Sequence, residues 1–170
     1  MSAGELVRIV KLDRLPPTAT VEATEAECVA LARRFSLPAV HALAAHVQLA
    51  QHGDAIDARG RLTAKFEQRC AVSNEPFANT LDEAIAVRFV PALPAHGENE
   101  EIEFADDAPD EIEYDGAAID LGEAVAQSFG LALDPYADGP GADAFRRSVG
   151  LSDEDAPGGP FAALAALKKT

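Results

Sequence analysis

Tryptophan is absent from this 170-residue chain, methionine occurs once, and aromatic residues of all kinds make up 6% of it. The core must therefore be assembled from alanine and aliphatic side chains, small and finely packed. Basic residues are scarce as well: 14 Lys and Arg stand against 29 Asp and Glu, a formal net charge of −15. A protein with that balance is repelled, as a whole body, by bare nucleic acid. The two cysteines, Cys28 and Cys70, sit far apart in dissimilar contexts. Two free thiols in a reduced, cytoplasmic protein are the expectation. No apolar run approaches the 18 residues of a membrane helix. The opening stretch, MSAGELVRIVKLDRLPP, is too short and too charged to hold the apolar region of a secretory signal. A phosphate-binding glycine loop, a nucleophile elbow and a paired-histidine metal motif are also missing.

What is present is unevenly distributed. Ten acidic residues and no basic ones fall between Ala92 and Ala117, and the rest of the chain carries only −5. That stretch reads as a solvated acidic loop over about 92–113, with a short strand near EIEF (101–104). It lacks the spacing of a calcium loop. The length suits one domain, which at this size buries roughly 70% of its unfolded surface and needs no staples.

Periodicity divides the chain further. ELVRIV (5–10) is a short strand candidate. A helix is expected near 22–35, with Thr24 as its cap and Glu27 completing a capping box. Residues 40–54 fit either period, but Gly53-Asp54 is a plausible hairpin turn and the next run alternates, which favours a strand. In RGRLTAKFEQRC (59–70), Leu62, Ala64, Phe66 and Cys70 share one face of an extended chain, and Arg59, Arg61, Thr63, Lys65, Glu67 and Arg69 share the other. Residues 77–89 repeat the period through Phe77, Leu81, Ile85, Val87 and Phe89. A second helix is expected near 120–131, capped by Asp120, with Leu121, Val125 and Phe129 facing the sheet. The expected fold is α+β: an antiparallel β-meander packed by two main helices. One domain would occupy 1–142. A flexible tail, 143–170, would carry a short amphipathic helix through Phe161, Leu164 and Leu167.

The candidate chemistry is a surface, with no catalytic residue assigned. Arg59, Arg61, Lys65 and Arg69 recur on one strand face at about 6.6 Å per pair of residues, a spacing that could follow a phosphate backbone or line an ordinary wet face. Of the histidines, His41 and His46 are expected on opposite faces of a strand, His46 and His52 lie about 20 Å apart if extended, and His96 falls in the acidic loop. Cys70 reads as a small core hydrophobe.

The ordered set GRLTAKFEQRCAVSNEPF (60–77), the FVP that follows, the acidic break, IDLGEAVAQSFGLALDPYADGPGA (119–142) and the terminal PFAALAAL resembles the YceD family, the large ribosomal RNA subunit accumulation proteins. The resemblance implies a non-enzymatic factor in large-subunit assembly, with ribosomal RNA, basic ribosomal proteins, or both as partners, and no membrane or small-molecule substrate. Many relatives place a second cysteine three positions after the one matching Cys70, as if for zinc. Here the position is Ser73, so neither metal nor cofactor is expected. Two other classes compete: an acidic adaptor for basic proteins without RNA contact, and a small hydrolase or metal enzyme in which His46 or another histidine converges with acids in a pocket.

Overall fold

The structure is a computed structural model that describes residues 5–92 and 109–150. Its elements in chain order are β1 (Ile9–Lys11), β2 (Thr18–Glu22), α1 (Glu25–Arg34), β3 (Ala39–His52), β4 (Ala55–Arg69), β5 (Pro76–Pro91), β6 (Asp110–Tyr114), β7 (Ala118–Asp120), α2 (Leu121–Ala132) and α3 (Ala142–Ser148). His96, the strand expected near 101–104 and the terminal amphipathic segment lie outside the described residues, as does most of the acidic stretch.

The sheet follows from its two central hairpins. β3 and β4 are joined by Gly53 and Asp54, and Gly53 takes a φ of +63°, a left-handed conformation open to glycine at no steric cost. From His52–Ala55 the pairing runs unbroken to Ala42–Lys65. The turn at Ala71–Glu75, with Asn74 at a φ of +60°, then returns the chain as β5, whose register against β4 holds from Arg69–Pro76 to Ile56–Phe89. The alternating burial of β4 is the pattern read from its sequence. Gly60 sits where β3 approaches most closely: a Cβ there would lie 1.9 Å from the backbone oxygen of His46. Such a contact is possible only for glycine.

The five-stranded sheet has the order β2-β3-β4-β5-β6. Its architecture is α+β, and three expectations need correction. Thr18–Glu22 is a strand paired to β3, where only the approach to a helix was read; its β-branched residues suit the pleat, and the helix waits for the Thr24 cap. β6 pairs with β5 in parallel, so the sheet is mixed. A parallel neighbour requires a connection of roughly a dozen residues or more, which the stretch 92–109 provides. The segment after Ala142 begins with a short helix, α3, whose Arg146 bonds Asp138 and Asp143.

Both main helices cover one side of the sheet. Thr24 and Glu27 form the reciprocal capping box of α1. Asp120, the last residue of β7, caps α2 by accepting from the Glu123 amide at 3.1 Å, and it also accepts from the Arg8 amide at 3.0 Å. One carboxylate thus ties the β1–β7 ribbon to the start of α2. Leu121, Val125 and Phe129 form the buried stripe of that helix. The Phe129 ring meets Phe66 of β4 edge-on at 5.5 Å and Phe35 beyond α1 at 5.6 Å, an aromatic junction between both helices and the sheet. Arg34 holds Glu123 through two hydrogen bonds of 2.7 Å, joining α1 to α2.

Candidate nucleic-acid interface

The opposite side of the sheet is uncovered by any described element. β4 runs through its centre, and its odd-numbered residues point outward: Arg59, Arg61, Lys65 and Arg69 are all exposed. Their neighbours follow from register. On β3, Gln48 lies across from Arg59, His46 across from Arg61, and Ala42 across from Lys65. On β5, Ala86, Ala84 and Thr80 take the same three positions. The small side chains on the β5 flank leave the cations standing above the floor on that side, while His46 and Gln48 stand beside the arginines on β3.

The four candidates do not form one equivalent row. Arg61 is engaged with Asp82, the diagonal neighbour on β5, through an Nε hydrogen bond. The guanidinium holds the Asp82 carboxyl below its ordinary range, and the carboxylate raises the already high pKa of Arg61. Arg59 and Lys65 make no hydrogen bond or ion pair with any described residue. Glu67 approaches His41 at 3.2 Å and separates these three from Arg69. Arg69 donates to the Asn74 carbonyl at 3.1 Å and shares a depression with Arg33, Pro38 and Val40 at the far end of the sheet. The structure therefore gathers Arg59, Arg61 and Lys65 and leaves Arg69 at the margin.

Two open hollows flank the row. One, of about 490 Å³, is bordered by Thr18, His46, Gln48, Arg59 and Arg61. The other, of about 180 Å³, lies between Ala42, Ala44, Lys65 and Thr80. Thr20 and His46 share a hydrogen bond of 3.1 Å at the first. Thr18, His46 and Gln48 were missed as neighbours of the basic residues. Counting back from the two-residue turn at Gly53-Asp54 would have placed His46 and Gln48 opposite Arg61 and Arg59. His41 was expected to oppose His46. A bulge between Val40 and Ala42 shifts the register, and both histidines end up exposed.

At one end of the face, Arg88 Nε lies 3.0 Å from Asp57 Oδ1, a charge contact without hydrogen-bond alignment. Beyond it, β6 places Glu111 beside Arg88. This face of the sheet thus has a cationic centre with an acidic border.

The inner side contains its own polar exception. Gln68 is buried and donates to the Asp134 carbonyl while accepting from Asn79 at 3.2 Å. Cys70 is buried too, and hydrogen bonding from the Ser73 side chain and amide lowers its thiol to about 7. Among the described residues no group of three or more His, Cys, Asp or Glu side chains is placed to hold a metal ion. No described helix is long and apolar enough to cross a membrane.

The fold and this face define an α+β protein that presents a short basic strand segment on an open, alanine-rich sheet. The family model described as large ribosomal RNA subunit accumulation protein YceD matches residues 58–168, and the chain belongs to that family. The match begins one residue before Arg59 and runs through the acidic stretch and α2. No curated protein and no solved structure matches the chain.

Proposed function

We propose that this protein is a non-enzymatic assembly factor of the large ribosomal subunit that contacts ribosomal RNA through Arg59, Arg61 and Lys65. The observation that carries the reading is the exposed cationic centre of a sheet face, built on a strand whose other side anchors the core. Phosphate contact releases counterions, so even three cations give a favourable, salt-sensitive contribution. The net charge of −15 restricts productive approach to this face. Arg69 contributes at its edge.

Basic ribosomal proteins are the second partner in this reading. Glu111 and Glu113 lie exposed on β6, bordering the cationic face with the opposite sign. An adaptor acting only on basic proteins would use that border and leave the arginines idle. Enzymatic action finds no support at His46: the hollow it borders offers Thr18, Gln48 and two arginines, with no carboxylate to orient the imidazole as a base.

Gradient fractionation of a tagged copy, with RNA and protein identification across the fractions, tests the reading. The expected result is co-migration with large-subunit precursors containing ribosomal RNA. Recovery of basic ribosomal proteins in fractions free of RNA would favour the adaptor. Migration with neither would remove both.

A further inference from the structure

Which form of RNA suits this face follows from what its side chains can and cannot do. Single-stranded RNA is held chiefly by stacking unpaired bases on aromatic rings or guanidinium planes, whereas duplex RNA is held by shape and by phosphate contacts. Among the described residues, the outer face of the sheet carries no Phe, Tyr or Trp; its rings are imidazoles, such as those of His41, which meets Glu67, and His46, which shares a hydrogen bond with Thr20. The rings of β4, β5 and β6 (Phe66, Phe77, Phe89 and Tyr114) all occupy the inner register. Arg61, one of the two guanidinium groups at the centre, is committed edgewise to Asp82 through its Nε.

What remains is a platform for a backbone. Arg59, Arg61 and Lys65 span about 20 Å along a rigid strand, so the cations keep fixed separations that suit the regularly spaced phosphates of a stiff duplex. Ala84 and Ala86 on β5 keep the surface low beside the two arginines, and Ala42 and Ala44 on β3 do so beside Lys65 and Thr63, so a cylinder can approach from the β5 side without collision. At one end, Thr18 and Gln48 add uncharged hydrogen-bonding groups beside Arg59, as a phosphate with several free oxygens requires.

We infer that this face binds the sugar–phosphate backbone of double-helical RNA, without reading base sequence. The inference rests on the proposed RNA contact and specifies its ligand. Binding depends on the distance between the Arg59–Arg61 pair and Lys65, held by the strand, and on access across the alanine flank of β5.

The test uses the full chain at low salt, with a labelled RNA duplex of about 20 base pairs, longer than the roughly 16 that a duplex-binding domain spans, and its separated strands in unstructured sequence. Duplex binding at least about tenfold tighter than single-strand binding is expected, with little change when the base sequence is scrambled. The triple variant Arg59→Ala, Arg61→Ala, Lys65→Ala should lose most duplex affinity and lower the slope of log affinity against log salt by roughly two to three. A second variant, Ala84→Tyr, keeps all cations and raises an obstacle on the flank that is also a stacking ring; it should weaken duplex binding and leave single-strand binding unchanged or strengthened. Equal or tighter binding of single strands that still depends on the three cations overturns the duplex inference and leaves the RNA contact standing. Binding of either RNA that is unaffected by the triple variant removes both.

Discussion

On the inner side of β4, Ile56, Ala58, Leu62, Ala64 and Phe66 are at most 4% exposed; on its outer side, Arg59, Arg61, Lys65 and Arg69 carry exposed positive charge. The two sides are interleaved in sequence yet answer to different physics. Inner residues gain from removing apolar area from water, at roughly 25 cal/mol per Å². Outer residues contribute little to folding, because exposed charges and even exposed ion pairs are worth about 0–1 kcal/mol. An acidic protein can thus keep a local cationic surface at small energetic cost, since the strand is secured from the other side. Stability and partner contact should separate cleanly by mutation.

The largest effect belongs to the core junction. Phe129→Ala removes the ring shared by Phe35 and Phe66, and should lower unfolding free energy by about 3–5 kcal/mol. Denaturant titration would show this as a lower midpoint with an unchanged slope. Gly60→Ala is the substitution that breaks the separation itself. Its Cβ would enter the backbone of β3, at a cost of about 1–3 kcal/mol, and the displaced strand would also reshape the hollow at His46. Loss of stability with loss of RNA binding is expected from that single change.

Acid sensitivity tests the inner scaffold in another way. Arg8 makes two hydrogen bonds to Glu27, chiefly responsible for lowering its carboxyl to about 2 from the ordinary 4.5. A depressed folded-state pKa contributes stability that is present above the unfolded value and lost as pH falls from about 4.5 toward 2. Glu27→Gln should therefore cost about 1 kcal/mol at pH 7 and flatten the acid limb of the stability curve between those limits. A smaller effect is expected at the end of β4. Ser73→Ala removes the side-chain hydrogen bond that contributes most to the low Cys70 thiol pKa, and thiolate absorbance against pH should shift upward from about 7 toward the ordinary 9.0.

Much of this architecture was legible in the sequence, for reasons visible residue by residue. The alternation through Leu62, Ala64 and Phe66, the Thr24–Glu27 box and the Asp120 cap are local signals, and the structure bears each of them out. Non-local features were not legible. The parallel placement of β6 depends on a chain return of 18 residues, which no short window contains. The Arg61–Asp82 pair joins residues 21 positions apart whose proximity exists only through the β4–β5 register. The bulge that reverses the facing of His41 inserts a single residue into an otherwise regular alternation. Within the candidate site, the residue types were evident and His46 and Gln48 could be reached by counting back from the Gly53-Asp54 turn, while the isolation of Arg69 needed the pairing.

The central claim is that the outer face of β4 carries the contact while its inner face carries the fold. Its most direct test is the triple reversal Arg59→Glu, Arg61→Glu, Lys65→Glu, measured for thermal stability and for co-sedimentation with large-subunit precursors. Reversal of the exposed Lys11, Arg14 and Arg147 to Glu provides a control of equal net charge. The account predicts a folded protein with stability changed by no more than about 0.5 kcal/mol per site, no co-sedimentation for the face variant, and retained co-sedimentation for the control. Undiminished co-sedimentation of the face variant, or equal loss in both, would contradict it.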